Sequence, residues 1–148
     1  MTNIKSTNPG RKPLAGFTLL EVLIAVLVLS VGLLGLAGLQ ATGMKTNHSA
    51  YMRSQAVAYG YDILDRMRAN RLSALSGTYN IAIGASSPAG TSIAQTDLRE
   101  WKTLIAGHLP SGDASANVNG GIATVVVQWD DSRADGNSTE NITIQTEL

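Results

Sequence analysis

The sequence predicts an α+β protein with a long N-terminal α-helix, a small antiparallel β-sheet head and one short extra helix. Three observations support this fold class. No proline interrupts the segment 17–71, which is therefore predicted as one long helix. A run rich in β-branched residues occupies 121–129, and residues 141–148 alternate between apolar and polar side chains, as strands do. With 148 residues, the chain is long enough for one modest domain.

The composition excludes several classes of function. The 11 basic and 11 acidic residues give a net charge of zero, which is no sign of a nucleic-acid-binding protein. Cysteine is absent, which excludes disulfide bonds and thiolate metal sites. The two histidines, His48 and His108, lie far apart in the chain. Because no catalytic constellation is visible, we expect no enzyme activity, no cofactor, no metal and no small-molecule substrate.

The N-terminal part of the chain has the pattern of a membrane segment. Residues 1–16 include three basic residues and no acidic one, and residues 17–39 contain a single charge, Glu21. The positions 22–39 that follow are uncharged and mostly apolar, which is about the minimum of 17–18 residues for a helix that spans a bilayer. Basic residues before the span predict a single-pass protein with a cytoplasmic N-terminus.

Two residues around this span are unusual. A carboxylate such as Glu21 in a membrane helix costs about 2.5 kcal/mol or more near the centre, which makes it a candidate functional residue. Alternatively, it lies near the helix end and reaches the headgroups. A secretory signal carries its small cleavage residues after the apolar core, whereas Gly16 precedes the core here. A cut behind the core would remove the membrane segment, whereas a cut at Gly16 would keep it. The position of Gly16 before the core favours the second outcome.

The residues GFTLLEVL at 16–23 resemble the prepilin processing motif of type IV pilins and type II secretion pseudopilins. In that family an aspartic prepilin peptidase cuts after the glycine and N-methylates the exposed phenylalanine. The resemblance implies that Gly16 and Phe17 flank the cut and that 1–16 is a leader peptide. It also implies a type IV pilin-like fold and a bacterial inner-membrane protein, with its head in the periplasm, which then enters a pilus filament.

The cleavage suggests a role for Glu21 in assembly. The new ammonium of Phe17 would lie four residues from the carboxylate of Glu21. A paired carboxylate is tolerable in hydrocarbon, whereas an unpaired one is costly. We therefore hypothesise that Glu21 faces the Phe17 amine of a neighbouring subunit and sets the axial register during assembly.

The longer stretch 16–70, with GFTLLEVLIAVLVLSVGLLGLAGLQATG, SAYMRSQA and DRMRAN, resembles the minor pilins of type IV pili. This resemblance implies that the prepilin peptidase, other minor pilins and the major pilin are its partners. It also implies a role in priming pilus assembly, which supports twitching motility and adhesion. Two alternatives stay open: a type II secretion pseudopilin, which shares the N-terminal pattern, and a pilus-tip adhesin, which an exposed aromatic patch on the head would favour.

Four glycines, Gly32, Gly35, Gly38 and Gly43, interrupt the helix between its anchor and its continuation. Each costs about 1 kcal/mol relative to alanine in an exposed helix interior. One interpretation is that they permit close packing of helices in the membrane. The other is that they form a weak spot, a segment of helix that unwinds when subunits pack, as the corresponding segment does in related filaments. Both interpretations stay open.

Residues 40–71 are predicted to form an amphipathic continuation of the helix. Apolar residues recur there at steps of three and four, which places them on one helix face: Met52, Ala56, Tyr59, Ile63 and Met67. Asp62 with Arg66, and Asp65 with Arg68, are predicted as solvated surface pairs that stabilise the helix by about 0.2–0.5 kcal/mol each.

Residues 72–148 are predicted to form the periplasmic head. In its first half we expect a short strand at 79–83 and a helix that begins at Thr96 and ends near Gly107, before Pro110. One face of this helix carries Leu98, Trp101, Leu104 and Ile105. A polar loop is expected at 111–121.

The second half of the head is predicted to be strands. They lie at 121–129 and 141–148, are separated by a turn at 130–137, and the second is a half-buried antiparallel strand. A sheet of two to four strands should pack on the amphipathic helix, with Trp101 and Trp129 in the core.

Charge suggests two further features of the head. Residues 72–148 carry 3 basic and 8 acidic residues, whereas 40–71 carry 5 and 2, and these opposite charges could steer neighbouring subunits. The acidic turn after Trp129 makes Asp131, Asp135 and Asn137 weak candidates for a calcium site. The pattern does not fit an EF-hand, however, and a solvated hairpin turn is the favoured interpretation.

Overall fold

The structure, a computed structural model, describes residues 16–133 and 138–148, which divide between two compact units, Met1–Gln40 and Ala41–Leu148. The elements follow in the order α1 (Leu19–Ala69), α2 (Arg71–Leu75), α3 (Ile93–His108), β1 (Asp113–Asn119), β2 (Ile122–Trp129) and β3 (Glu140–Glu147). The α+β prediction is confirmed, because a long N-terminal helix is followed by short helices and an antiparallel sheet.

The sheet has three antiparallel strands in the order β1-β2-β3, so that β2 is central. The predictions of β2 and of a half-buried β3 are confirmed. The polar loop predicted at 111–121 is wrong, because β1 occupies most of it. In β1, Ala114, Ala116 and Val118 alternate with polar residues and are buried. Two of these three are alanines, whose small apolar surface left the alternation inconspicuous.

Two further predictions in the head are corrected. No strand forms at 79–83 in the structure, where Ile81 makes only an isolated bridge to Ala116. Helix α3 begins one turn earlier than predicted, because Ser92 and not Thr96 is its N-cap. The Ser92 hydroxyl accepts a hydrogen bond from the Gln95 backbone N–H at 3.3 Å, and the two residues form a capping box.

The core of the second unit confirms the predicted helix faces with one exception. On α1, the apolar face is buried, with Tyr59 only half-buried, and on α3 the exception is Leu104, which is 37% exposed. Trp101 and Trp129 are buried as predicted. Trp101 also ties α3 to α1, because its indole N–H donates to the backbone oxygen of Tyr59 at 2.8 Å.

Strand β3 lies along α1 and runs in the same direction. Arg53 pairs with Glu140 at 2.9 Å, and Arg71 donates to the Leu148 carbonyl oxygen at 2.7 Å. The Arg53 contact and that of Arg68 with Thr146 at 3.2 Å lie about 22 Å apart along α1 and about 20 Å apart along β3, so the two elements run side by side over this length. Gly60 permits their close approach, since a Cβ there would lie 2.6 Å from Cδ1 of Ile144.

The surface pairs predicted on α1 are present, and Arg66 also forms ion pairs with residues outside α1. It contacts Asp62 at 3.2 Å, Asp97 at 3.2 Å and Glu100 at 2.8 Å, which links α1 to α3. Arg68 pairs with Asp65 at 2.7 Å. Arg53 and Arg66 thus bind acidic residues of the head within one chain, and charge steering of neighbouring subunits stays a prediction.

Candidate functional site

The segment predicted to be processed lies at the start of α1. Residues 16–18 precede the helix, and the Thr18 hydroxyl accepts a hydrogen bond from the Glu21 backbone N–H at 3.2 Å. The Thr18 carbonyl oxygen accepts from the N–H groups of Glu21 and Val22 at 3.1 and 3.3 Å. Thr18 therefore acts as the N-cap, in the Thr-x-x-Glu spacing of a capping box. The helix start is defined by residues that follow the predicted cut.

The bond between Gly16 and Phe17 lies outside the helix and is accessible. The Phe17 side chain is 84% exposed, and nothing lies within 4 Å of the position of a Cβ on Gly16. Cleavage there would break no hydrogen bond of α1, because the first helical bonds involve Thr18. This geometry suits an endopeptidase substrate, whose backbone must be reached from outside.

Glu21 lies in the first turn of α1 and is exposed. A carboxylate in this position interacts favourably with the positive end of the helix dipole. Cleavage before Phe17 would add an ammonium at the same helix end, where a positive charge is unfavourable. Phe17 lies just before α1 and Glu21 lies in its first turn, so that opposite charges would be four residues apart in sequence once the cut is made.

The rest of the first unit is an exposed apolar helix. Residues 19–40 are all exposed, and they include fourteen large apolar side chains between Leu19 and Leu39. Among the described residues, α1 is the one helix that is long and apolar enough to cross a membrane. Burying these side chains would contribute on the order of 20 kcal/mol, because each large apolar side chain contributes about 1.5–3 kcal/mol. Such a surface is consistent with membrane anchoring.

The four glycines of the predicted weak spot are all helical in the structure. Nothing lies within 4 Å of a Cβ position on Gly32, Gly35, Gly38 or Gly43. No contact within the described chain therefore requires glycine at these positions. Close helix packing and local unwinding both stay predictions about the assembled state.

The candidate calcium residues do not form a described site. Asp131 is 2% exposed, and its carboxylate accepts a hydrogen bond from the Ser49 hydroxyl at 2.5 Å. The prediction of a solvated hairpin turn is therefore corrected at Asp131, which is buried against α1. Asp135 and Asn137 lie outside the described residues. Across 16–133 and 138–148, no three acidic, histidine or cysteine residues are grouped to hold a metal.

The two histidines lie on separate elements. His48 is exposed on α1, whereas His108 is the last residue of α3. Its Nδ1 lies 2.8 Å from the Leu104 carbonyl oxygen, and its ring centroid lies 5.9 Å from that of Tyr59. His108 therefore lies at the C-terminal end of α3, with its side chain bonded back to the preceding turn.

Two polar clusters that the sequence did not reveal hold the head together. Lys102 contacts Asp113 at 2.8 Å and the Ala85 carbonyl oxygen at 2.6 Å. Burial would raise the pKa of Asp113, but hydrogen bonds from Lys102 and two backbone N–H groups outweigh it, so that the pKa is lowered. In the second cluster, Tyr79 donates to Asp97 at 2.5 Å. Burial first, and this hydrogen bond second, raise the pKa of Tyr79 to about 12.

A family model of the prokaryotic N-terminal methylation motif matches residues 11–37. The match covers Gly16, Phe17, Glu21 and most of the apolar span, and it supports a type IV pilin-like or pseudopilin-like protein. It implies processing by a prepilin peptidase and association with a membrane, and it is typical of structural proteins rather than enzymes. Searches of curated protein sequences and of solved structures found no match to the chain.

Proposed function

We propose that the chain is a minor type IV pilin similar to PilV. A prepilin peptidase cuts it after Gly16 and methylates the amine of Phe17, and the mature protein joins other minor pilins to prime pilus assembly. The observation that carries this proposal is the processing motif at an exposed bond before a capped, apolar helix, together with the motif match at 11–37. The similarity to PilV rests on the stretch 16–70.

The proposed organisation follows the same pattern. Residues 1–16 are the leader, 17–39 form the membrane and filament-core helix, 40–71 continue it, and 72–148 form the head. The N-terminus is cytoplasmic, because the basic residues precede the span, and the head is periplasmic until the protein enters the filament with the major pilin. The protein has no catalytic role in this proposal.

Glu21 is proposed to pair with the amine of Phe17 in a neighbouring subunit. Its place in the first turn of α1 supports this, because Phe17, which carries the amine after cleavage, lies just before that turn. Pairing the ammonium with the carboxylate lowers the cost of placing them in hydrocarbon, where either charge alone is costly. It would set the axial register of the subunit.

The test is electron microscopy of surface filaments in a strain that lacks the gene. Strains complemented with the native gene or with Glu21→Gln are compared with it, and mass spectrometry checks that Phe17 is the N-terminus in both. We expect filaments and twitching only with the native gene, while the major pilin stays in the membrane. Normal filaments in the deletion strain would contradict the proposal, and normal filaments with Glu21→Gln would contradict the pairing.

A type II secretion pseudopilin is the second candidate, because the matched motif occurs in both classes. Normal filaments with failed protein secretion in the deletion strain would favour it. Normal filaments with intact secretion would instead favour an accessory or adhesive role. The aromatic patch that would favour an adhesin is not found, since the aromatic residues of the head, Tyr79, Trp101 and Trp129, are all buried.

A further inference from the structure

The two edges of the sheet differ in how their backbone groups are satisfied. The outer edge of β1 is covered, and Ala116 exchanges two hydrogen bonds there with Ile81, at 2.8 and 2.9 Å. Three N–H groups of β1 point away from β2, and each donates to an acceptor. Ala114 donates to Asp113, Ala116 donates to Ile81, and Val118 donates to Asn80. Natural proteins cover edges in this way because an open edge can pair with another strand.

The outer edge of β3 is open. The Leu148 N–H donates to the Gly121 carbonyl oxygen at 2.9 Å, so that the even-numbered residues of β3 pair with β2. The N–H groups of Asn141, Thr143, Gln145 and Glu147 therefore point away from the sheet. Within residues 16–133 and 138–148, none of these four N–H groups has an acceptor. The strand also carries no proline or lysine that would block pairing.

Helix α1 places an apolar surface beside this edge. Arg53 contacts Glu140, and Arg68 contacts Thr146 at 3.2 Å, so both helix residues lie against β3. Val57 and Tyr61 follow Arg53 at steps of four and lie between these two contacts on the same side of the helix. They are 39% and 51% exposed. An added strand would therefore meet open hydrogen-bonding groups and an apolar strip together.

We propose that the open edge of β3 binds an amphipathic strand of a different prepilin-type subunit, which extends the sheet and packs its apolar side chains on Val57 and Tyr61. Strand addition supplies affinity through main-chain hydrogen bonds, and the flanking side chains supply specificity. This inference rests on the proposed function, because the partner is another subunit anchored in the same membrane.

A second copy of this chain fits the edge poorly in either symmetric arrangement. A two-fold axis perpendicular to the sheet makes the two β3 strands antiparallel. Because β3 runs in the direction of 53–71, the two helices would then run in opposite directions, unlike chains inserted by the same N-terminal segment. A two-fold axis along the strands turns the second sheet over, which brings its polar residues Asn141, Thr143 and Gln145 against Val57 and Tyr61. A different chain avoids both conflicts.

The experiment is site-specific photo-crosslinking of the full chain in its native membrane. A photoreactive amino acid replaces Gln145 at the open edge, Asn117 as an exposed position on β1, or Leu27 in the apolar span. The other prepilin-type proteins of the same bacterium are epitope-tagged one at a time, so that each adduct is identified. We expect Gln145 to give an adduct with one tagged subunit, about tenfold stronger than the adduct from Asn117.

Matched variants test the edge itself. Thr143→Pro removes an outward N–H without removing a bond to β2, and proline is tolerated on edge strands. We expect it to reduce the adduct from Gln145 about tenfold, whereas Thr143→Ala retains it within about twofold. Val57→Glu leaves the strand unchanged and should reduce the adduct similarly, because it places a charge in the apolar strip. Equal amounts of each variant in the membrane are the control for folding.

The outcomes separate the inference from the proposed function. Adducts from Leu27 with prepilin-type proteins, without a specific adduct from Gln145, would overturn the inference and leave the proposed function standing. A Gln145 adduct that persists in both Thr143→Pro and Val57→Glu would overturn it too, as would an adduct with a second copy of this chain. No adduct with prepilin-type proteins from any position would contradict the proposed function itself.

Discussion

Gly112 lies in the turn between α3 and β1 and provides a sharp test of the packing in the head. A Cβ at this position would lie 2.6 Å from the Ile105 carbonyl oxygen and 2.9 Å from that of Leu109. Both are backbone atoms that cannot move without shifting the end of α3. The Gly112 N–H also donates to the Leu109 oxygen at 2.9 Å, so the turn has little freedom to widen.

We expect Gly112→Ala to lower the free energy of unfolding by about 1–3 kcal/mol, the usual cost of overpacking a rigid site. Gly107→Ala, five residues earlier near the end of α3, is the matched control. Nothing lies within 4 Å of its Cβ position. It should raise the free energy of unfolding by about 0.5–1 kcal/mol, because alanine has the higher helix propensity.

The assay is denaturant unfolding of the full chain in mild detergent, followed by tryptophan fluorescence. Trp101 and Trp129 are the two tryptophans of the chain, and both are buried in the head, so the signal reports this region. If Gly112→Ala unfolds at the same denaturant concentration as the native chain, the close approach to Ile105 and Leu109 is wrong. If Gly107→Ala is as destabilised as Gly112→Ala, sterics are not the cause.

Three further predictions use the same unfolding assay. Ser49→Ala leaves the buried Asp131 carboxylate without this donor and should cost about 1–3 kcal/mol, whereas Ser54→Ala, whose hydroxyl bonds only to its own helix, should cost less than about 0.5 kcal/mol. Because the pKa of Tyr79 is raised from 10.0 to about 12, the folded state holds this proton more tightly. The free energy of unfolding should therefore be intact below pH 10 and fall by roughly 2–3 kcal/mol as the pH rises to about 12, and Tyr79→Phe should remove this fall. The pKa of Asp113 is lowered, so its contribution should be present above its usual pKa and be lost as the pH falls through the folded value. Asp113→Asn should flatten that acid limb, and an unchanged limb would contradict the role of the Lys102 pair.

The elements with strong periodicity were predictable from the sequence. Strand β2 carries β-branched residues at most positions, and β3 alternates Ile142 and Ile144 with polar residues. Strand β1 was missed because its inward residues include Ala114 and Ala116, which are small. The start of α3 was also missed, although Ser92 and Gln95 have the spacing of a capping box and could have indicated it.

The polar residues that join the head to α1 could not be predicted. Ser49 and Asp131 lie 82 positions apart, and Arg53 and Glu140 lie 87 apart. Nothing in the local pattern around any of them indicates a partner. The role of Gly60 could not be predicted either, because the close approach of β3 to this glycine is visible only in the folded chain.

The sequence by itself determined the N-terminal features: the prepilin-type methylation motif within residues 11–37, the single charge Glu21 and the apolar span behind it. These features depend on consecutive residues, because a peptidase recognises a short segment and a membrane responds to the summed hydrophobicity of one helix. The tertiary structure alone decided that Asp131 is buried, that Arg66 joins two helices, and that, among the residues the structure describes, one sheet edge is covered while the other is open. Such properties depend on which distant residues meet, and only the folded chain brings them together.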